Sequence, residues 1–368
     1  MKIGILTFQN TTNYGAMFQA YALQTFIKNY CECEILNYTN SAFKNRYEIN
    51  PFKSKTLKEF IKKTIYYKEN KKNILIFNDF KNNYLRISKE NYDENNIADS
   101  DSKYDLFISG SDQVWNFKLT NYDENYFLTF TNNKLKRNSY AASLGVSNLC
   151  ASDEKMLKKL IIQQNNISVR ENEGKNLINK VIDENKKNNL DVNVNIDPVF
   201  LLSSNQWNEL IENVNVNYDN YLFIYEVAYV PELLQFAKKI ANEKKMKILY
   251  ASASNKKLDG AITIKNITPL EFLTYIKKAD IIITSSFHGM AFSTIFNKKF
   301  YYGIPKSKTN FGSRLNNLAS ILNLESRNFI NYSKKHDFID YNDVNKKIFL
   351  ERRKSKAYIE RMISYEKI

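Results

Sequence analysis

Apolar and polar positions along this chain fall into short blocks with the rhythm of an α/β protein. Residues 2–7 form an apolar run that predicts a buried strand, and a polar loop follows over residues 9–15. Ala16, Phe18, Ala20, Leu23, Phe26 and Ile27 then recur at helical spacing, and residues 34–38 predict a second strand. This is a βαβ unit with a right-handed crossover. The rhythm breaks between about residues 44 and 89, where basic helices are expected as an insertion. It resumes with strands at 104–109, 137–143, 167–169 and 192–196 and a helix at 153–164. In the second half, strands are expected at 221–227, 247–251, 280–284 and 300–302, and helices at 231–242, 269–278 and 311–324. The tail from about residue 342 is amphipathic and basic.

The most informative stretch is 279–293. Ile281, Ile282 and Ile283 are a β-branched run ended by Ser285 and Ser286. Beyond Gly289, Ala291, Phe292, Ile295 and Phe296 share one helical face. His288, one of 2 histidines in 368 residues, therefore stands where a strand stops and a helix begins. Ligands of open parallel sheets bind at the carboxyl ends of strands, and helix N-termini favour anions. Asp112, Arg170 and Asp197 also fall at strand ends. The loop over residues 9–15 has a single glycine and is no GxGxxG fingerprint.

Charge changes the picture of partners. The formal net charge is +15, from 54 Lys+Arg against 39 Asp+Glu, which favours phosphorylated metabolites, anionic lipid or nucleic acid. The Asn, Lys, Ile and Tyr richness of an AT-biased genome would leave the same mark on a solvated surface. No helix-turn-helix, zinc or RNP signature is present and the basic residues are dispersed, so nucleic acid is not expected as a partner. Cys31, Cys33 and Cys150 imply neither a disulfide framework nor a zinc pair, and point to a reducing compartment. The short apolar run at the start is below a signal sequence, and no run of about 18 apolar residues occurs. The expected location is cytoplasmic, with peripheral attraction to an anionic inner membrane face. No metal is implied.

Several motifs occur in order: Asn13-Tyr-Gly-Ala-Met-Phe-Gln-Ala-Tyr-Ala-Leu23, Ser109-Gly-Ser-Asp-Gln-Val-Trp-Asn116, Ser139-Tyr-Ala-Ala-Ser-Leu-Gly145, Ser168-Val-Arg-Glu171, Asp197-Pro-Val199 and Ser285-Ser-Phe-His-Gly289. Together they resemble the polysaccharide pyruvyl transferase family. The resemblance implies two Rossmann-like domains facing a cleft in a GT-B-like α/β fold. Residues 1–205 would be the acceptor side, with the helical insertion at about 44–95. Residues 206–340 would be the donor side, and 341–368 a helical tail packing back. It implies transfer of the pyruvyl group of phosphoenolpyruvate to a glycan or lipid-linked sugar of a bacterial cell surface, forming a cyclic ketal without a cofactor.

The family uses an Arg matching Arg170 and a His matching His288 at the donor. Many members have Arg where this chain has Ser286. A family lysine corresponds to Lys306 or Lys308, and Arg314 is the candidate to replace the missing charge. Ser285, Ser286 and Gly289 complete the donor set. Asn13, Tyr14, Gly15, Gln113 and Trp115 are the acceptor candidates, with Tyr14, Trp115 and Tyr140 either stacking on sugar or packing in the core. His288 either protonates the enol methylene or, neutral, hydrogen-bonds the phosphate. The positive helix end disfavours the imidazolium and a bound phosphate dianion favours it, so acid function depends on donor occupancy. Asp112 either deprotonates the attacking hydroxyl or caps its own turn. The alternatives are a GT-B nucleotide-sugar glycosyltransferase and a catalytically degenerate sugar-binding member. His336, in a polar run, is expected to be non-functional.

Overall fold

The computed structural model describes residues 1–183, 190–253, 257–305, 311–334 and 337–364. Lys306, Lys308 and His336 lie outside the described residues. The chain divides into two compact units, Met1–Pro198 with Tyr358–Ile368, and Val199–Ala357.

In the first unit, β1 (Lys2–Leu6), β2 (Glu32–Tyr38), β3 (Ile87–Tyr92), β4 (Leu106–Ser109) and β5 (Arg137–Ser139) form a parallel sheet in the order β3-β2-β1-β4-β5. A two-stranded parallel sheet of β6 (Ile167–Val169) and β7 (Val192–Val194) continues the same face through single bridges such as Ala142 to Val169. Helices α1 (Tyr14–Ile27), α2 (Ser41–Arg46), α3 (Leu57–Tyr84), α4 (Phe117–Thr120), α5 (Ala151–Ile161) and α6 (Asn172–Asp183) lie between the strands. The core strands are apolar without alternation because helices cover both faces of a parallel sheet. Two expectations are corrected here. The basic insertion is helical in α2 and α3, but it ends in the edge strand β3, whose only large apolar side chains are Ile87 and Tyr92. The strand expected at 137–143 stops at Ser139.

In the second unit, β8 (Tyr221–Glu226), β9 (Lys247–Ser252), β10 (Ile262–Thr263), β11 (Ile281–Thr284) and β12 (Lys299–Tyr302) form a parallel sheet in the order β10-β9-β8-β11-β12. Its helices are α7 (Ser204–Leu210), α8 (Pro231–Lys244), α9 (Pro269–Lys278), α10 (Phe287–Ile295) and α11 (Phe311–Leu322). α9 starts at a capping box in which Thr268 and Glu271 satisfy each other's backbone N–H, with Pro269 at its first position. The last helix, α12 (Tyr341–Ser364), contributes residues to both units.

Both sheets have the same doubly wound strand order. The order reverses between β1 and β4 in the first unit and between β8 and β11 in the second. Loops at such a switch point leave a crevice at the carboxyl edge, which is where ligands bind in open α/β sheets.

Candidate functional site

At the second unit's switch point, β11 passes into α10 through Ser285 and Ser286. Ser286 is the N-cap, its Oγ accepting from Gly289 N at 3.3 Å. Its own N–H donates to Thr284 Oγ1 at 3.0 Å. That hydroxyl donates to Tyr225 O of β8 at 2.8 Å. Gly289 is required here because a Cβ would stand 2.3 Å from Thr284 Oγ1. The missing side chain lets the first turn of α10 lie against the strand end. His288 falls in that turn, 7% exposed, its ring edge-on to Phe287 at 5.1 Å. Ser285, expected among the donor contacts, also fastens the crevice. Its Oγ donates to Ala228 O at 2.8 Å and accepts from Val227 N and Ala228 N at 3.1 Å each, tying the loop after β8 to β11. Arg314 is buried on α11.

At the first unit's switch point the same logic uses other residues. Gln19 of α1 donates to Thr7 Oγ1 at 2.8 Å and accepts from Ser111 N at 3.0 Å, and Thr7 Oγ1 donates to Ser111 O at 3.0 Å. This buried network fixes the turn after β4. There Asp112 takes a φ of 73°, in the left-handed region that Asp tolerates better than most residues. Asp112 Oδ1 accepts from the next backbone N–H, that of Gln113, at 2.8 Å.

The neighbouring strand ends bring Arg170, Glu171 and Asp197 to Asp112. Arg170 lies 2.7 Å from Asp197, 3.5 Å from Glu171 and 3.9 Å from Asp112. Burial opposes the guanidinium charge, but these carboxylates outweigh it and hold the Arg170 pKa above its ordinary value. Ser143 Oγ donates to Glu171 and fixes it in turn.

The acceptor candidates divide. Asn13 caps α1, accepting from Ala16 N at 3.2 Å, and is exposed. Tyr14 is half-buried with its ring 4.9 Å from Phe77, and Gly15 is buried beneath it. Gln113 accepts from Asn116 Nδ2 at 2.8 Å. Trp115 is corrected: it is 0% exposed, stacked on Phe127 at 4.9 Å, with Nε1 donating to Tyr126 O at 3.1 Å. A ring with no exposed face cannot receive a sugar. Tyr140 is also 0% exposed and donates to Ile196 O at 3.0 Å.

Two polar groups escaped the sequence reading. Lys81 of α3 donates to Asn10 Oδ1 at 2.8 Å in the loop after β1, and burial holds its ammonium below the usual lysine value. Glu226, last residue of β8, is 4% exposed and accepts from Tyr250 Oη at 2.5 Å. Nothing local marks either residue, since each gains its setting from another strand or loop. Among the described residues no group of His, Cys, Asp and Glu is arranged to hold a metal, and no helix is long and apolar enough to cross a membrane.

Solved structures share this architecture. Staphylococcus aureus MnaA, solved with UDP, matches with a TM-score of 0.50 and 15% identity over 99% of this chain and 96% of that one. A putative UDP-N-acetylglucosamine 2-epimerase from Listeria monocytogenes matches with a TM-score of 0.50 and 12% identity over 96% of this chain and 90% of that one. At these identities the likeness is one of fold, and the fold is GT-B-like. No curated protein matches the chain. The sequence is more specific than the fold. The profile that describes polysaccharide pyruvyl transferases matches residues 13–304, a span that runs from the N-cap of α1 through the β11–α10 turn carrying His288, and the chain belongs to that family.

Proposed function

We propose that this protein transfers the pyruvyl group of phosphoenolpyruvate to a sugar of a cell-surface polysaccharide or its lipid-linked precursor, forming a cyclic ketal. Family membership supports the reaction class. The observation that carries the reading is His288 in the first turn of α10, at the switch point between β8 and β11. A helix N-terminus there attracts the donor phosphate.

In this reading a proton passes to the enol methylene, making it the methyl group and leaving the adjacent carbon electron-poor. One sugar hydroxyl adds to that carbon and loses its proton to a base. A second hydroxyl adds as the carbon–oxygen bond to phosphate breaks, its proton passes to the departing phosphate, and inorganic phosphate leaves. His288 delivers the first proton or holds the phosphate that departs. Arg314, with Lys306 or Lys308, answers the donor's negative charge in place of the arginine that Ser286 replaces. In the first unit, Arg170 is the anion contact and Asp112 the base. The Asp112–Arg170 contact, the longest of the three at 3.9 Å, is the one a carboxylate ligand would replace most easily.

The test is release of phosphate from phosphoenolpyruvate that depends on a glycan acceptor. A melting temperature raised by phosphoenolpyruvate and not by nucleotide sugars is the binding counterpart. No release with any acceptor, together with a shift by a nucleotide sugar alone, would replace this reading with a glycosyltransferase.

A further inference from the structure

We propose that the turn before α3 and the amino-terminal half of that helix dock on an anionic phospholipid bilayer. α3 has 28 residues, about 42 Å of helix, yet its only buried side chains are Phe77 and Phe80 near the far end. The earlier turns cover no core. They nevertheless carry large apolar side chains in the open: Leu57, Ile61 and Ile65 are 75%, 49% and 69% exposed. These recur every four residues and so share one face, which Lys68 and Lys72 continue. Phe52, in the preceding turn, is 88% exposed, with its ring 6.0 Å from Phe60. Between turn and helix lies an open groove of about 860 Å³, its apolar lining being Ile49, Pro51, Phe52, Ile65 and Tyr67 and its polar lining including Glu48 and Lys68. Contiguous exposed apolar surface of this kind marks an interaction site.

Charge selects the occupant. Between Pro51 and Lys72 eight lysines stand against two glutamates. A second copy would bring the same positive field and be repelled. An anionic headgroup layer complements it, each lysine near such a surface strengthening binding by about fivefold. Apolar side chains interleaved with long basic ones are the pattern of a helix lying in a membrane interface, the lysine stems reaching up to the headgroups. The surface is also tied to the first unit's carboxyl edge. Tyr47, just before the turn, has its hydroxyl 2.6 Å from Thr11 Oγ1, and Lys81 of the same helix bonds Asn10. A lipid-linked acceptor would thus be met at the bilayer by the unit read as the acceptor side. That purpose rests on the proposed function, whereas the binding itself does not.

The full chain is sedimented with phosphatidylcholine vesicles, with and without phosphatidylglycerol, in the absence of donor and acceptor. Retention is expected only with phosphatidylglycerol and should weaken with salt. The variant F52S/L57S/I61S/I65S changes only exposed or protruding positions, and should keep its melting temperature while losing at least about tenfold in retention. K55Q/K58Q/K62Q/K68Q should lose the phosphatidylglycerol preference by at least about tenfold. Wild-type protein left in the supernatant with both vesicles, or variants retained like wild type, would overturn the proposal. So would conversion of a dimer to a monomer by the apolar variant, which would make the ridge a contact between copies. Phosphate release with a water-soluble acceptor is read in parallel. Its persistence in the apolar variant separates failure of docking from failure of pyruvyl transfer.

Discussion

Arg170 and Asp197 are joined at 2.7 Å with side chains 3% and 0% exposed, the shortest of the three ion pairs that Arg170 makes. Removing Asp197 takes away the nearest of the three carboxylates around Arg170 and leaves a buried guanidinium with only the longer contacts to Glu171 and Asp112. D197N is expected to lower unfolding stability by about 3–5 kcal/mol. R170K, which keeps the charge but not the planar fork, should fall between D197N and wild type. Urea unfolding of both variants measures this.

His288 lies in the first turn of α10 and not in a strand of the sheet. H288Q should therefore melt near the wild-type temperature while acceptor-dependent phosphate release falls by about a hundredfold or more. Near-wild-type turnover across the pH range would remove this residue from both of its proposed roles.

Gly289 packs on Thr284 with no room for a Cβ, which would stand 2.3 Å from the threonine hydroxyl. G289A should cost about 1–3 kcal/mol and depress activity by displacing the first turn of α10. T284A in the same chain removes the clashing oxygen, so the pair should be non-additive in a double-mutant cycle, with the double variant more stable than the sum predicts.

Asp337 accepts from Lys299 and Tyr301 and lies 3.5 Å from Arg327. Its burial raises proton affinity, but those bonds and charges outweigh it and hold the carboxyl below its ordinary range. A carboxyl so lowered stabilises the fold above its unfolded value, about 3.9, and loses that contribution as pH falls through the folded value. Acid unfolding should show a loss of stability below about pH 4 that is smaller in D337N. D337N should in turn be less stable than wild type near neutral pH by about 2 kcal/mol.

Trp115 is core. W115F should leave the acceptor KM unchanged, and W115A should cost about 3–5 kcal/mol in stability. A selective rise in the acceptor KM for W115F at unchanged stability would return the ring to the sugar.

The β11–turn–α10 passage was legible because its signals are local: a β-branched run, two serines, then a helical stripe beginning at a glycine. Asp112, Arg170 and Asp197 were legible as strand-end residues for the same reason. Their mutual pairing was not, since it joins residues far apart in sequence, and nothing in Arg170's own neighbourhood foretells Asp197. The choice between packing and sugar contact for Trp115 was not legible, because a tryptophan beside a polar loop looks the same in sequence whether it faces solvent or Phe127. The edge strand β3 was lost in a lysine-rich run because an edge needs few apolar residues.

The closing helix α12 has a consequence for biosynthesis. Its residues from Tyr358 onward belong to the first unit, where the buried Tyr358 hydroxyl donates to Ser139 O at 2.9 Å. Earlier in the same helix, Arg352 donates to Phe200 O at 2.6 Å in the second unit. The half of the molecule that leaves the ribosome first thus waits for α12 to be synthesised, and a nascent chain stopped before α12 would emerge with that half incomplete.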